Sequence, residues 1–157
     1  MPNAAVHDAP AMAIEAVWRD RWGLPVVTPT GAYMPGDVEG IILIASGKGL
    51  AALVTWVAAG DAAEIISLDS MFPGRGHGTR VLDEAEARLR GRGAARMTVA
   101  TSNDNLAALA FYQKRGYRLV RVHHRAMDLV RSLKPGVPEI GLDGIPLCDM
   151  WELEKPL

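Results

Sequence analysis

The segment that most constrains this chain is Pro73-Gly74-Arg75-Gly76-His77-Gly78. It lies between an apolar run at Glu64–Met71 and an amphipathic stretch from Thr79 to Arg90, whose stripe is Val81, Leu82, Ala85 and Leu89. A β-period run, a glycine-dense loop and a helix-period run predict a strand–loop–helix unit. A helix start exposes unpaired backbone N–H groups and the positive end of the helix dipole. Glycines let an anion approach that backbone, so the unit can cradle a phosphate or pyrophosphate. It is not a P-loop, since no Gly-Lys-Ser/Thr follows. The spacing G-x-G-x-G at Gly74, Gly76 and Gly78 is a poor dinucleotide fingerprint.

The rest of the chain places this unit in a mixed α/β fold of the α+β kind. Pro10–Trp22 reads as a first helix, with no strand before it, and Gly23–Gly36 reads as mostly loop because it holds Pro25, Pro29, Gly31 and Pro35. Val38–Ser46 and Leu50–Ala59 read as two strands around Gly47-Lys48-Gly49, apolar enough for both faces to be covered. Gly40–Gly60 is as long as a membrane span, but Lys48 at its centre would cost roughly 2.5–3.5 kcal/mol in a membrane helix. A hairpin is the better reading. Arg96–Thr101 and Tyr117–Val122 are further strands, Asn105–Arg115 is a helix closed by Gly116, Ala126–Leu133 is a short helix, and Leu147–Leu153 is a final strand. The order α-β-β-β-α-β-α-β implies a mixed sheet with helices on its faces, in a single domain over residues 1–157.

Composition excludes several partner classes. Lys plus Arg is 17 and Asp plus Glu is 18, a net charge of −1, which argues against a nucleic-acid coat. No basic n-region or apolar h-region opens the chain, so no membrane association is expected and the cytoplasm is the expected compartment. The lone Cys148 cannot form an intrachain disulfide, fits a reducing compartment and reads as a packed strand residue. His123 and His124 are adjacent, but no third and fourth ligand stands at useful spacing, so no metal is expected. Lys114, Arg115, Arg118, Arg121 and Arg125 occur in 105–127 without an acid, and Arg75 and Arg80 lie in or beside the glycine loop.

The segment Asn105-Leu-Ala-Ala-Leu-Ala-Phe-Tyr112-Gln-Lys-Arg-Gly116-Tyr117, following the glycine loop by one strand, resembles the GNAT N-acetyltransferase superfamily. Asn105, Ala108, Tyr112, Gly116 and Tyr117 fall on its Asn-x-x-Ala-x-x-x-Tyr helix and Gly-aromatic pair, and Gly76 and Gly78 supply its Gly-x-Gly. Pro73 stands where the family has Gln or Arg, which removes one phosphate donor. The match covers 64–122, the cofactor-binding core, and leaves 123–157 as a C-terminal extension.

The resemblance implies a mostly antiparallel sheet and transfer of an acetyl group from acetyl-CoA to an amine by direct attack in a ternary complex. Splayed strands would hold the acyl-CoA, with Leu68, Gly74, Arg75, Gly76, His77, Gly78, Thr79, Asn105 and Tyr112 binding it and the Leu68 N–H polarising the carbonyl. Tyr112 is the implied proton donor to the departing thiolate. Glu64 is the implied base, with Asp69 (of opposite strand parity), His123 and His124 as alternatives. The pocket for the acceptor, a small-molecule or protein amine, would draw on Trp18, Trp22, Tyr33 and Trp56, although each tryptophan reads first as a core residue. Apolar edge strands in the C-terminal part could pair in a homodimer. A non-catalytic acyl-CoA-binding sensor on the same fold is the alternative. An unrelated mononucleotide binder is a third reading.

Overall fold

The computed structural model describes residues 4–157. Its strands are β1 (Ala4–Asp8), β2 (Val26–Thr28), β3 (Gly31–Tyr33), β4 (Glu39–Ala45), β5 (Gly49–Ala59), β6 (Ala62–Ser70), β7 (Arg96–Ser102), β8 (Arg118–His123) and β9 (Met150–Pro156). The α-helices are α1 (Ala11–Arg21), α2 (His77–Gly91), α3 (Leu106–Lys114) and α4 (Ala126–Leu133). The class is α+β, a mixed and mostly antiparallel sheet flanked by helices. Two compact units divide it. One holds the chain up to Val26 with Ala32–Met97 and Leu157, and the other holds Val27–Gly31 and Thr98–Pro156.

In the first unit β1, β4, β5 and β6 are neighbours in that order, and each adjacent pair is antiparallel. Alternate residues of a strand face opposite sides, and here both sides are covered. Ile14, Val17 and Trp18 of α1 pack with Val26, Ile42, Leu53 and Ile66 on one face. The next residues along, Ile41, Leu43, Val54 and Trp56, are fully buried on the other, where α2 packs against β4, β5 and β6. The α2 stripe is the one the sequence predicts: Val81, Leu82, Ala85 and Leu89 are all buried.

One irregularity shapes the functional face. The β5/β6 register runs Leu53↔Asp69, Val54↔Leu68 and Thr55↔Ser67, then shifts so that Trp56 pairs Ile65 and Val57 pairs Glu64. Ile66 is the extra residue of a β-bulge, and Ile65, Ile66 and Ser67 are buried in succession. The bulge reverses the parity expected from spacing. Glu64, Ser67 and Asp69 lie opposite Val57, Thr55 and Leu53, which share one face of β5, so all three face α1.

In the second unit β9 lies between β7 and β8, and β8 and β9 are antiparallel with Val122↔Trp151 and His123↔Met150. Asn105 caps α3, its side chain accepting from the Ala108 N–H at 3.1 Å. Gly116 follows the helix with φ +94°, the left-handed conformation expected of a closing glycine. Met127 and Val130 of α4 pack with Val27, Leu147 and Met150. The Asp104 carboxylate is buried and accepts from the Ser102 hydroxyl and the Leu142 N–H. It fills the space over Gly141, where a Cβ would lie 2.1 Å from its Oδ2.

The structure corrects several expectations. A strand does precede the first helix: β1 is held by pairing along β4, a tertiary contact that its short, mixed sequence does not announce. Gly23–Gly36 is not all loop: β2 and β3 form a two-stranded ribbon inside it. The final strand starts three residues later than expected, at Met150. Cys148 therefore lies outside it and is exposed rather than packed. No helix among the described residues is long and apolar enough to cross a membrane.

Candidate active site

The α1 face of β6 carries a chain of buried polar contacts. Trp18 donates its indole N–H to the Ser67 hydroxyl at 2.8 Å, and Ser67 and Thr55 share a hydrogen bond of 2.7 Å. One turn on, Trp22 donates its indole N–H to both oxygens of Asp69, at 3.0 and 3.1 Å. Asp69 is only 4% exposed. Burial pushes its carboxyl up to about 6, against the lowering effects of the Trp22 hydrogen bond and the Arg21 charge. Glu64, at the other end of the same face, is half-buried. Leu68 points to the opposite face, opposite Val54.

After β6 the chain enters the glycine loop. Gly74 and Gly76 have φ of +79° and +77°, and nothing lies within 4 Å of where either would carry a Cβ. The backbone there is open to an approaching ligand in a conformation few other residues adopt. Gly76 is the N-cap of α2, which has no side-chain cap and no acid in its first turn. The first intrahelical bond runs from the Arg80 N–H to the Gly76 carbonyl at 3.0 Å. The Nδ1 of His77 is buried and has no hydrogen-bond partner. Its ring meets Phe72 edge-on at 6.3 Å, and the Lys48 ammonium lies 5.1 Å from the Phe72 ring centre. Open backbone, an uncapped helix start, an unpartnered imidazole nitrogen and a nearby lysine fit the diphosphate of a coenzyme. Pro73 offers no N–H, but the positions after it do.

In the second unit Tyr112 is 5% exposed and packs edge-on between Phe111 at 5.2 Å and Tyr117 at 5.4 Å. Asn105 spends its Oδ1 on the α3 cap. His123 pairs with Glu152 at 2.9 Å, while His124 is exposed and stands 3.9 Å from Asp149. Both histidines line an open cavity of about 350 Å³ with Thr28, Pro29, Leu129 and Met150. No group of three His, Cys, Asp or Glu among the described residues could hold a metal ion.

Of the aromatic residues expected near an acceptor, Trp18 and Trp56 are wholly buried, while Trp22 is 42% exposed. Two features escaped sequence reasoning. The Trp22–Asp69 pair spans elements 47 positions apart, and no local signal in the sequence names it. Lys48 reads from the sequence as a turn residue, and its place beside Phe72 is purely tertiary.

Residues 18–117 match the Acetyltransferase (GNAT) family, and the chain belongs to that family. It is 38% identical over 149 residues to the uncharacterised protein YxbD of Bacillus subtilis (strain 168), with 94% of each chain covered. A second B. subtilis protein, the uncharacterised YdhI, is 35% identical over 129 residues, 82% of this chain and 81% of that one. Among solved structures, an IAA acetyltransferase from Bacillus cereus superposes with TM-score 0.78 at 20% identity, covering 99% of this chain and 100% of the other. A GNAT acetyltransferase from Elizabethkingia anophelis with acetyl-CoA bound gives TM-score 0.71 at 18% identity, with 99% of both chains covered. These two share the fold.

Proposed function

We propose that the protein is an acetyl-CoA-dependent N-acetyltransferase acting on a small-molecule or protein amine by direct attack. Family membership supports acetyl transfer. The observation that carries the reading is the uncapped, glycine-lined start of α2, reached directly from a strand that bears two carboxylates. Acetyl-CoA, when bound, supplies an activated thioester.

The chain's own residues divide the remaining work. Backbone amides from Gly74 through Gly76 and Gly78 to Thr79 hold the diphosphate, flanked by Arg75 and His77. The Leu68 N–H donates to the acyl oxygen. Tyr112 carries a phenolic O–H and gives a proton to the sulfur. Asn105 serves the cofactor through the helix it caps. A carboxylate of β6 accepts the amine's proton: the family resemblance points to Glu64, and Asp69 is the alternative on the same strand. The core that binds cofactor is 64–122. Exposed Leu119 and Val120 on β8 give a second copy an edge to pair with, and the exposed Cys148 thiol suits a reducing cytoplasm.

The test is the melting temperature against acetyl-CoA, with ATP and NAD as controls. A ligand specific to the folded state adds about 2.7 kcal/mol at 100 times its Kd. A saturating rise with acetyl-CoA alone, followed by thiol release with a primary amine, supports the enzyme. A rise without turnover of any amine in a broad panel would favour an acyl-CoA sensor, and Pro73 in place of Gln or Arg is the feature that would then matter. No rise at millimolar acetyl-CoA would sink both.

A further inference from the structure

Asp69 is an expensive residue to bury. A carboxylate can accept about four hydrogen bonds, and here its hydrogen-bond donor among the described residues is a single neutral indole. The same-face neighbours on β5, Leu53, Thr55 and Val57, carry no charge. From α1 only the Arg21 charge acts on it, and Glu64 on its own strand lies about 13 Å along by strand rise. An asparagine would hold the Trp22 indole equally well without a buried charge. A poorly solvated anion with unused acceptor capacity, beside a tryptophan that is 42% exposed, is built to receive a cation.

Resting on the acetyl-transfer reading above, we propose that Asp69 is the acceptor's docking and proton-accepting group: it takes a primary ammonium ion whose hydrocarbon body lies along Trp22. The step is a proton transfer without redox change. One N–H bond of R–NH3+ breaks, its electron pair stays on nitrogen, and the proton goes to a carboxylate oxygen. R–NH2 and a neutral carboxyl result, and the carboxyl later returns the proton to solvent. The raised carboxyl assists in both directions. At about 6 it is still ionised at pH 7.5, and it is about a hundredfold better a proton acceptor than a carboxylate at the ordinary 3.8.

The assignment can be read without knowing the natural acceptor, using 2-phenylethylammonium chloride as the probe. Carboxyl 13C resonances of aspartate and the Trp22 indole N–H resonance are followed by NMR in the full chain, with Asp69→Asn, Glu64→Gln and Trp22→Phe. Asp69 should titrate with a midpoint near 6, and Trp22→Phe should move it upward by removing the hydrogen bond that lowers it. At pH 7.5 the probe should shift the Asp69 and Trp22 signals saturably, and at pH 4.5 it should not. The Trp22 shift should vanish in Asp69→Asn and persist in Glu64→Gln. A midpoint in the ordinary carboxylate range overturns the proposal. So does an absent probe effect in the wild type, or one that survives Asp69→Asn and is lost in Glu64→Gln. Should Asp69→Asn fail to fold, the Trp22→Phe midpoint and the pH 4.5 arm decide. The acetyl-CoA melting shift reports the parent reading separately: a wild type that shifts with acetyl-CoA but shows no ammonium effect at Asp69 overturns this assignment alone.

Discussion

Glu64 and Asp69 stand five positions apart on β6, yet both face α1, because the bulge at Ile66 inserts one residue between them. An odd spacing on a regular strand would have sent them to opposite sides. Both carboxylates proposed to serve the reaction are thus on one surface, and they differ in burial rather than in direction.

That difference has a stability signature. The Asp69 carboxyl is raised from 3.8 to about 6 by burial, so between those values the folded chain holds a proton that the unfolded chain releases. Stability therefore falls as pH rises from about 4 to about 6 and stays lower above that. Asp69→Asn cannot ionise. It should gain about 3 kcal/mol at pH 8, or roughly 6–12 °C in Tm, and nothing at pH 3.5. Thermal melts of both proteins across this range check the sign.

Tyr112 should separate binding from chemistry. Its ring is locked between Phe111 and Tyr117, so Tyr112→Phe keeps the packing and removes only the hydroxyl. The expected result is a fall in kcat of about 10²–10³-fold with the acetyl-CoA melting shift retained. Unchanged turnover would remove Tyr112 from the chemistry.

Gly76 tests the loop. Open space above it means an added methyl meets nothing, but φ +77° penalises any residue with a Cβ by roughly 1–2 kcal/mol. Gly76→Ala should therefore weaken acetyl-CoA about tenfold through a shifted backbone while lowering Tm by only a few degrees. Equilibrium binding and a melt on the same sample separate the two effects.

Gly141 is a different kind of glycine. Its problem is space, since the Asp104 carboxylate occupies the site of any side chain. Gly141→Ala should displace Asp104 from the Ser102 hydroxyl and the Leu142 N–H, costing about 2–4 kcal/mol as buried acceptor groups lose donors. Denaturant unfolding of Gly141→Ala beside Asp104→Asn would show whether the two losses overlap.

What the chain disclosed in advance follows from how local each signal is. Asn105 and Gly116 bracket α3 because both act within a few residues of themselves, through the Ala108 N–H and a positive φ. The apolar stripe of α2 and the hairpin around Lys48 were legible for the same reason. The bulge at Ile66 was not, because an extra residue is defined only against the partner strand. Regular strand spacing alone puts Asp69 on the opposite parity, and nothing local names its partner Trp22 at the end of α1. Strand β1 and the three-residue β2 and β3 owe their existence to pairing rather than to pattern.

The bare start of α2 has a consequence for motion. A first turn held by neither a side-chain cap nor an acid should exchange its amide hydrogens faster than the Val81–Leu89 core of the same helix, where every donor is within the i→i−4 ladder. A bound diphosphate would take up those amides and slow their exchange selectively. The helix would then record cofactor occupancy as a protection gradient along its own length, steep in the free protein and flat in the complex.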